Sequence, residues 1–285
     1  MPRVGSITPN GIDPRRALGD RLRALVGSGS QDLARAADDL GLLGADPVAA
    51  TVHGDFAAMM VGGVASLLLQ MLHPAALAGV WDHSDFRRDR NGRLRRTAQF
   101  IAMTTYGPTA AAEAQIARVR RIHARVTGTT ADGTPYRADD PALLRWVHVA
   151  ETWCFLAAHR RYRAPAMPVV EQDRYCAEMA IVADRLGATD VPRTRAAIDA
   201  ALRAARPTLR YDARTAAVAR ALLAPDPESR ALAPVQAVLV AGAADLLPRW
   251  AAAMHGLDRP ALLKPGIRLG MGGLGQILRW ALRPA

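Results

Sequence analysis

Apolar positions recur at helical spacing along most of the chain, and no stretch alternates for long enough to make a useful strand. Residues 1–13 hold Pro2, Pro9 and two glycines and read as an irregular arm, leaving 14–285 as one domain. Arg15 to Val26 fits a first helix. Ser30-Gln31-Asp32-Leu33 carries an N-cap signal for a second, ending near Gly41. Pro47 fits the start of a short element. An uncharged apolar helix follows from about Asp55 to Leu72, and Pro74 restarts a helix in its first turn. The polar run 82–92, with Asn91-Gly92, reads as a loop.

Arg93 to Tyr106 is helical until Gly107-Pro108 stops it. Thr109 to Val126 places Ile116, Val119, Ile122, His123 and Val126 on one face. Thr127 to Asp139 reads as a loop or small hairpin around Asp132-Gly133. Asp140-Pro141 opens a long helix to about Tyr162, with Leu144, Val147, His148, Glu151 and Phe155 on one stripe. Further helices are expected over Pro168–Leu186, Arg193–Ala205, Arg214–Leu223, Pro234–Met254 and Arg259–Leu263. Gly270, Gly272, Gly273 and Gly275 argue against one continuous helix over Ile267–Leu282. That segment reads as a packed arm or a lid, with contact to a membrane surface as the alternative. Together these elements predict an all-α, single multi-helix globular domain.

Composition supports that reading. Half of the residues are hydrophobic, only 5% are aromatic, and the apolar mass is Ala, Leu and Val. The apolar run from Phe56 is interrupted at Gln70, His73 and Pro74, short of the roughly 20 residues of a membrane span. It therefore reads as a buried helix of a bundle. Net charge is +11, yet the arginines are scattered and no nucleic-acid recognition motif appears, so no specific nucleic-acid partner is expected. Cys154 and Cys176 form no CxxC pair and no apolar leader opens the sequence, so a cytoplasmic protein with free thiols is expected.

Candidate chemistry concentrates between Phe56 and His148, where an apolar region holds four of the seven histidines and an arginine-rich insert. Imidazoles and guanidinium groups among buried helices are costly unless something occupies the space between them, which points to a buried cofactor pocket. His123 is either a hydrogen-bonded core residue or a ligand for iron or zinc. His148 and Glu151, one turn apart, are either a buried couple or an acid/base unit. Arg93, Arg96 and Thr97 share a helix face that is either solvated or suited to a carboxylate or an oxygen species. No Glu-x-x-His di-iron motif, dinucleotide fingerprint, P-loop or nucleophile elbow is present.

The string Leu67-Leu68-Leu69-Gln70-Met71-Leu72-His73-Pro74, then Gly79-Val80-Trp81-Asp82-His83-Ser84 and Arg93-x-x-Arg96-Thr97, resembles the oxygenase MpaB/latex-clearing protein superfamily, also labelled DUF2236. Ile122-His123-Ala124-Arg125-Val126, Tyr136-Arg137-Ala138-Asp139-Asp140-Pro141 and Trp146-Val147-His148 fit the same pattern, over about residues 50–250. The resemblance implies an all-α fold enclosing haem b, in a family whose members cleave carbon–carbon double bonds of polyisoprene or trim an isoprenoid side chain. In the latex-clearing branch an Arg-x-x-Lys-Thr motif lies over the haem and a downstream histidine ligates iron. Arg93 and Thr97 match the ends of that motif and His123 matches the ligand. Arg96 replaces the lysine, and an arginine is a poor iron ligand. Thr127 stands where that branch has an arginine, and its active-site glutamate has no clear counterpart here.

The implied activity is a haem-dependent oxygenase acting with dioxygen on a small apolar, isoprenoid-like substrate. Arg93, Arg96 and Thr97 are its catalytic candidates. His123 is its iron ligand, with Arg93, Thr97, His148 and His73 also about the cofactor. A non-catalytic haem- or lipid-binding helical protein is the alternative.

Overall fold

The computed structural model describes residues 33–84, 89–225 and 232–283. The expected arm at 1–13, the helix over 15–26 and the cap at Ser30 lie outside these residues. The observed helices are α1 (Val48–His53), α2 (Phe56–Gln70), α3 (Pro74–His83), α4 (Arg90–Tyr106), α5 (Thr109–His123) and α6 (Pro141–Tyr162). They continue with α7 (Val169–Leu186), α8 (Arg195–Ala205), α9 (Ala213–Leu223), α10 (Ala233–Leu246), α11 (Arg249–Met254) and α12 (Lys264–Leu282). Between α5 and α6, strands β1 (Thr127–Thr129) and β2 (Pro135–Arg137) pair antiparallel with Gly128 opposite Tyr136. Gly133, at φ +85°, makes the turn that the Asp-Gly pair predicts. The fold is all-α and forms a single globular domain.

α2 is the central helix. Asp55 caps it by accepting the Ala58 amide at 2.9 Å. Its buried face, Val61, Ala65, Leu68 and Leu69, packs on α6. Gly62 allows the approach: a Cβ there would lie 2.8 Å from the Phe155 ring. On the other flank, Gly242 of α10 lets Met271 of α12 come close, since a Cβ there would meet the Met271 side chain at 2.8 Å. The chain then bends by 104° between α2 and α3, across Met71, Leu72 and His73. Pro74 sits in the first turn of α3, where its missing amide costs nothing. Among the described residues no single helix is long and apolar enough to cross a membrane.

Several expectations need correction. Residues 33–46 form turns rather than the end of a helix reaching Gly41; Gly41 and Gly44 both have positive φ, which breaks a helical run. α3 extends through His83, and Asn91-Gly92 lies in the first turn of α4, because Asp89 caps that helix by accepting the Gly92 amide at 2.7 Å. The helix expected over 234–254 breaks at Leu247-Pro248 into α10 and α11. In place of a helix over 259–263 there is a single 3₁₀ turn, Ala261–Leu263.

The C-terminal segment is one continuous helix despite its glycines. Tertiary contacts override their weak propensity: Met271, Leu278 and Ala281 are buried against α2 and α10. Two buried acids hold its flank. Asp55 accepts Arg279 Nη1 at 2.8 Å, and Asp245 accepts Arg268 Nε at 3.0 Å and Arg161 Nη1 at 3.2 Å.

Two stability outcomes follow. Asp55→Ala removes a helix cap and a charged partner together and should cost about 2–4 kcal/mol in urea unfolding. Gly273→Ala should stabilise by about 0.5–1 kcal/mol, because nothing lies within 4 Å of the added methyl.

Candidate functional site

The bend after α2 leaves a cavity of about 310 Å³ walled by α2, α3, α4, α5, α6 and α7. The stripe read from the sequence as one face of the long helix, Leu144, Val147, His148, Glu151 and Phe155, forms one wall. Ile122, His123 and Val126 close the opposite side at the end of α5, with Phe100 and Ile101 from α4. The floor is Leu67, Gln70 and Met71. The apolar spacing of α5 therefore serves two ends, with Ile116 in the core and Ile122 to Val126 on the cavity.

The cavity brings together Arg93, His123, His148 and Glu151. His123 ends α5, and its Nδ1 is buried with no hydrogen-bond partner. Burial lowers its pKa, Asp139 opposes that shift and Arg93 adds to it, so the ring favours the neutral form. Arg93 donates from Nη1 to Ser84 Oγ at 2.6 Å, which ties α4 to the end of α3. Burial and the neighbouring Arg96 press its pKa down, while Glu151 raises it. His148 is buried and its pKa falls to about 4; its ring nitrogens lie 3.4 Å from the Thr152 hydroxyl, a weak contact.

Glu151 is pushed up to about 7 by its apolar surroundings, against the opposing effects of Gln70 and Arg93. Gln70 donates to Glu151 Oε1 at 3.3 Å and to Ser66 Oγ at 2.6 Å, so the carboxyl is oriented from α2. A carboxyl poised near neutrality inside an apolar cavity is suited to exchanging a proton.

Arg96, Thr97 and His73 are not among the cavity walls. Arg96 is exposed and reaches back to Asp89 Oδ2 at 3.4 Å. The exposed Thr97 hydroxyl donates to the Arg93 carbonyl at 3.2 Å, within its own helix. His73 precedes α3, stacks obliquely on Trp146 with ring centroids 6.0 Å apart, and keeps Nδ1 buried without a partner. The three residues of the shared face thus separate: Arg93 turns inward, while Arg96 and Thr97 serve the first turns of α4.

Sequence reasoning passed over His53 and Tyr175, which also line the cavity. His53 hydrogen-bonds Thr105 at 2.8 Å and the Tyr175 hydroxyl at 3.0 Å, and burial takes its pKa down to about 3. Both ring nitrogens are occupied, which leaves neither for a ligand. These residues come from α1 and α7, far apart in the chain, and carry no local signal.

The cavity continues outward. His83, Ile122 and Val126 border both the cavity and an open groove of about 500 Å³, whose other walls are Arg118, Arg121 and Arg125. Apolar depth therefore gives way to a cationic mouth. Among the described residues no group of three or more His, Cys, Asp or Glu could hold a bare metal ion. The donor set instead suits a planar cofactor that brings its own in-plane ligands and asks the protein for one imidazole, apolar walls and cations at the rim.

The family model described as ER-bound oxygenase mpaB/B'/Rubber oxygenase, catalytic domain, matches residues 50–280. The chain belongs to this oxygenase family. No curated protein and no solved structure matches it.

The buried titrating groups set opposite pH dependences. His53 and His148 have folded pKa values below the usual 6.5, so the unfolded chain binds more protons and stability falls as pH drops below about 6.5. Glu151 has a folded pKa raised from 4.5 to about 7, so the stability it contributes is present below pH 4.5 and lost as pH rises through 7. Glu151→Gln should therefore gain stability relative to the parent on going from pH 5 to pH 8, read by urea unfolding at both. An unchanged difference would show that this carboxyl is not held near neutrality.

Proposed function

We propose that this protein is a haem b-dependent oxygenase that attacks the double bond of a small apolar, isoprenoid-like substrate with dioxygen. The observation that carries the reading is the His123 imidazole, whose buried Nδ1 lacks a partner in the wall of an apolar cavity. His73, His159 and His255 also keep an unpartnered buried Nδ1, but of these four rings only that of His123 lines the cavity. Haem bound there would supply a redox-active iron for dioxygen chemistry.

The chain's own groups perform the rest. His123, held neutral by burial, would hold the iron through its imidazole. Arg93, fixed by Ser84, places a charge donor in the cavity where negative charge develops. Glu151 holds or yields a proton at its carboxyl near neutral pH, oriented by Gln70. Phe100, Ile101, Val147 and Phe155 exclude water and bind an apolar chain. Arg118, Arg121 and Arg125 at the mouth would hold the cofactor's carboxylates. Arg96 and Thr97 act through Arg93 by holding the start of α4.

A second reading, a carrier without catalysis, draws on the same shape: an apolar chamber opening on arginines also suits the carboxylate of a lipid. Absorbance separates the two. Haem added to the purified protein should give a Soret band that His123→Ala abolishes and His148→Ala retains. A protein that stays colourless under haem titration, while taking up a fatty acid, would replace the oxygenase with the carrier. Loss of the band in His148→Ala alone would move the iron-holding histidine to α6. Arg121→Glu combined with Arg125→Glu should weaken haem binding by about tenfold or more.

A further inference from the structure

α12 packs on the protein by one face only. Met271, Leu278 and Ala281 point inward, and the opposite face is apolar as well. Leu269 is 79%, Ile277 54% and Trp280 48% exposed, and Leu262, in the turn leading into the helix, is 92% exposed. Leu269 and Trp280 lie about three helical turns apart on one line, with Ile277 one turn from Trp280 and the exposed Gln276 as the polar residue between them. Gly266 and Gly273 fall on the same side, and nothing lies within 4 Å of where their Cβ atoms would be. Of the other large apolar residues exposed among the described residues, Val169 and Val170 form an adjacent pair at the start of α7, while Leu40, Ile122 and Tyr211 are isolated. A largely apolar exposed face of this length marks a contact.

Charge identifies the occupant. From Arg259 to Arg283 the chain carries five cations and no carboxylate. The two acids beside this helix are already shared by several cations: Asp245 faces Arg161, Lys264 and Arg268, and Asp55 faces Arg163 and Arg279. The helix therefore presents an apolar strip flanked by excess positive charge. A second copy docked by a two-fold axis would bring the same cations against each other, with no acid between them. An anionic bilayer surface satisfies both features, taking the apolar side chains into its interface and the arginines at its headgroups. The Trp280 ring, apolar with one polar edge, suits that depth.

We infer that the 262–283 segment is an interfacial helix that docks this protein onto anionic phospholipid membranes, with Leu262, Leu269, Ile277 and Trp280 inserted. The inference is independent of the cofactor. It agrees with a substrate that partitions into lipid, but does not require one.

The test is co-sedimentation of the full chain with vesicles of phosphatidylcholine alone, and of phosphatidylcholine mixed with phosphatidylglycerol. The protein should pellet with the anionic vesicles and remain soluble with the neutral ones, with binding reduced by salt. The triple variant L269Q/I277Q/W280Q, changed only at exposed positions, should bind at least about tenfold more weakly while keeping the parent's circular dichroism and melting temperature. R259Q/R283Q should weaken binding to the anionic vesicles alone. Failure of the parent to pellet with anionic vesicles at low salt overturns the inference. So does equal binding by the triple variant, which would mean that net charge of +11 acts without insertion. A concentration-dependent dimer in sedimentation equilibrium that the triple variant abolishes would assign the face to a second copy instead.

Discussion

The close seat of α2 on α6, and the sharp turn that ends it, govern the rest of the molecule. Gly62 lets the two helices approach until Phe155 fills the place of a side chain. That contact fixes α6, and with it His148 and Glu151, at a set height along α2. Had α2 continued straight past Gln70, its next turn would run alongside α6 and fill the space beside it. Instead the chain turns by 104° before Pro74, and α3 leaves to one side. The space vacated at the turn is the cavity, so the packing that stabilises the core also positions the chemistry.

Polar groups in that space are arranged unequally, and the inequality gives them different uses. His53 has both ring nitrogens satisfied and belongs to the structure. His123 retains a buried nitrogen without a partner. Arg93 and Glu151 face the same volume from different helices, each shifting the other's proton affinity. Burial alone would favour the neutral form of every one of these groups. Their retention together in an apolar chamber supports the proposed site.

Outside the chamber the same economy of contacts recurs at α12. Asp55 caps α2 through one carboxylate oxygen and holds Arg279 through the other, so the central helix and the last helix share an anchor. Asp245 joins α6 to α12 through one oxygen, its Oδ2 accepting from both Arg161 and Arg268. With the inner face of α12 fixed at both acids, its outer face is displayed as a rigid surface instead of fraying.

The helical architecture, the Asp-Gly hairpin, the stop at Gly107-Pro108 and the stripe on α6 were all legible locally, because caps, turn residues and periodicity act within a few residues of chain. The family resemblance was legible too, from the order of short strings between Leu67 and His148, and the matched catalytic domain bears it out. Other features depended on tertiary contact. Burial of Met271 and Leu278 kept 264–282 helical against the preference of its glycines, and the break at Leu247-Pro248 divided a stretch whose periodicity read as continuous. Helical spacing put Arg93, Arg96 and Thr97 on one face, but only the position of Ser84 and Asp89 decided that Arg93 turns inward and Arg96 outward. His53 joined the cavity for the same reason: a side chain's neighbours from distant helices are set by packing, which periodicity along one helix cannot encode.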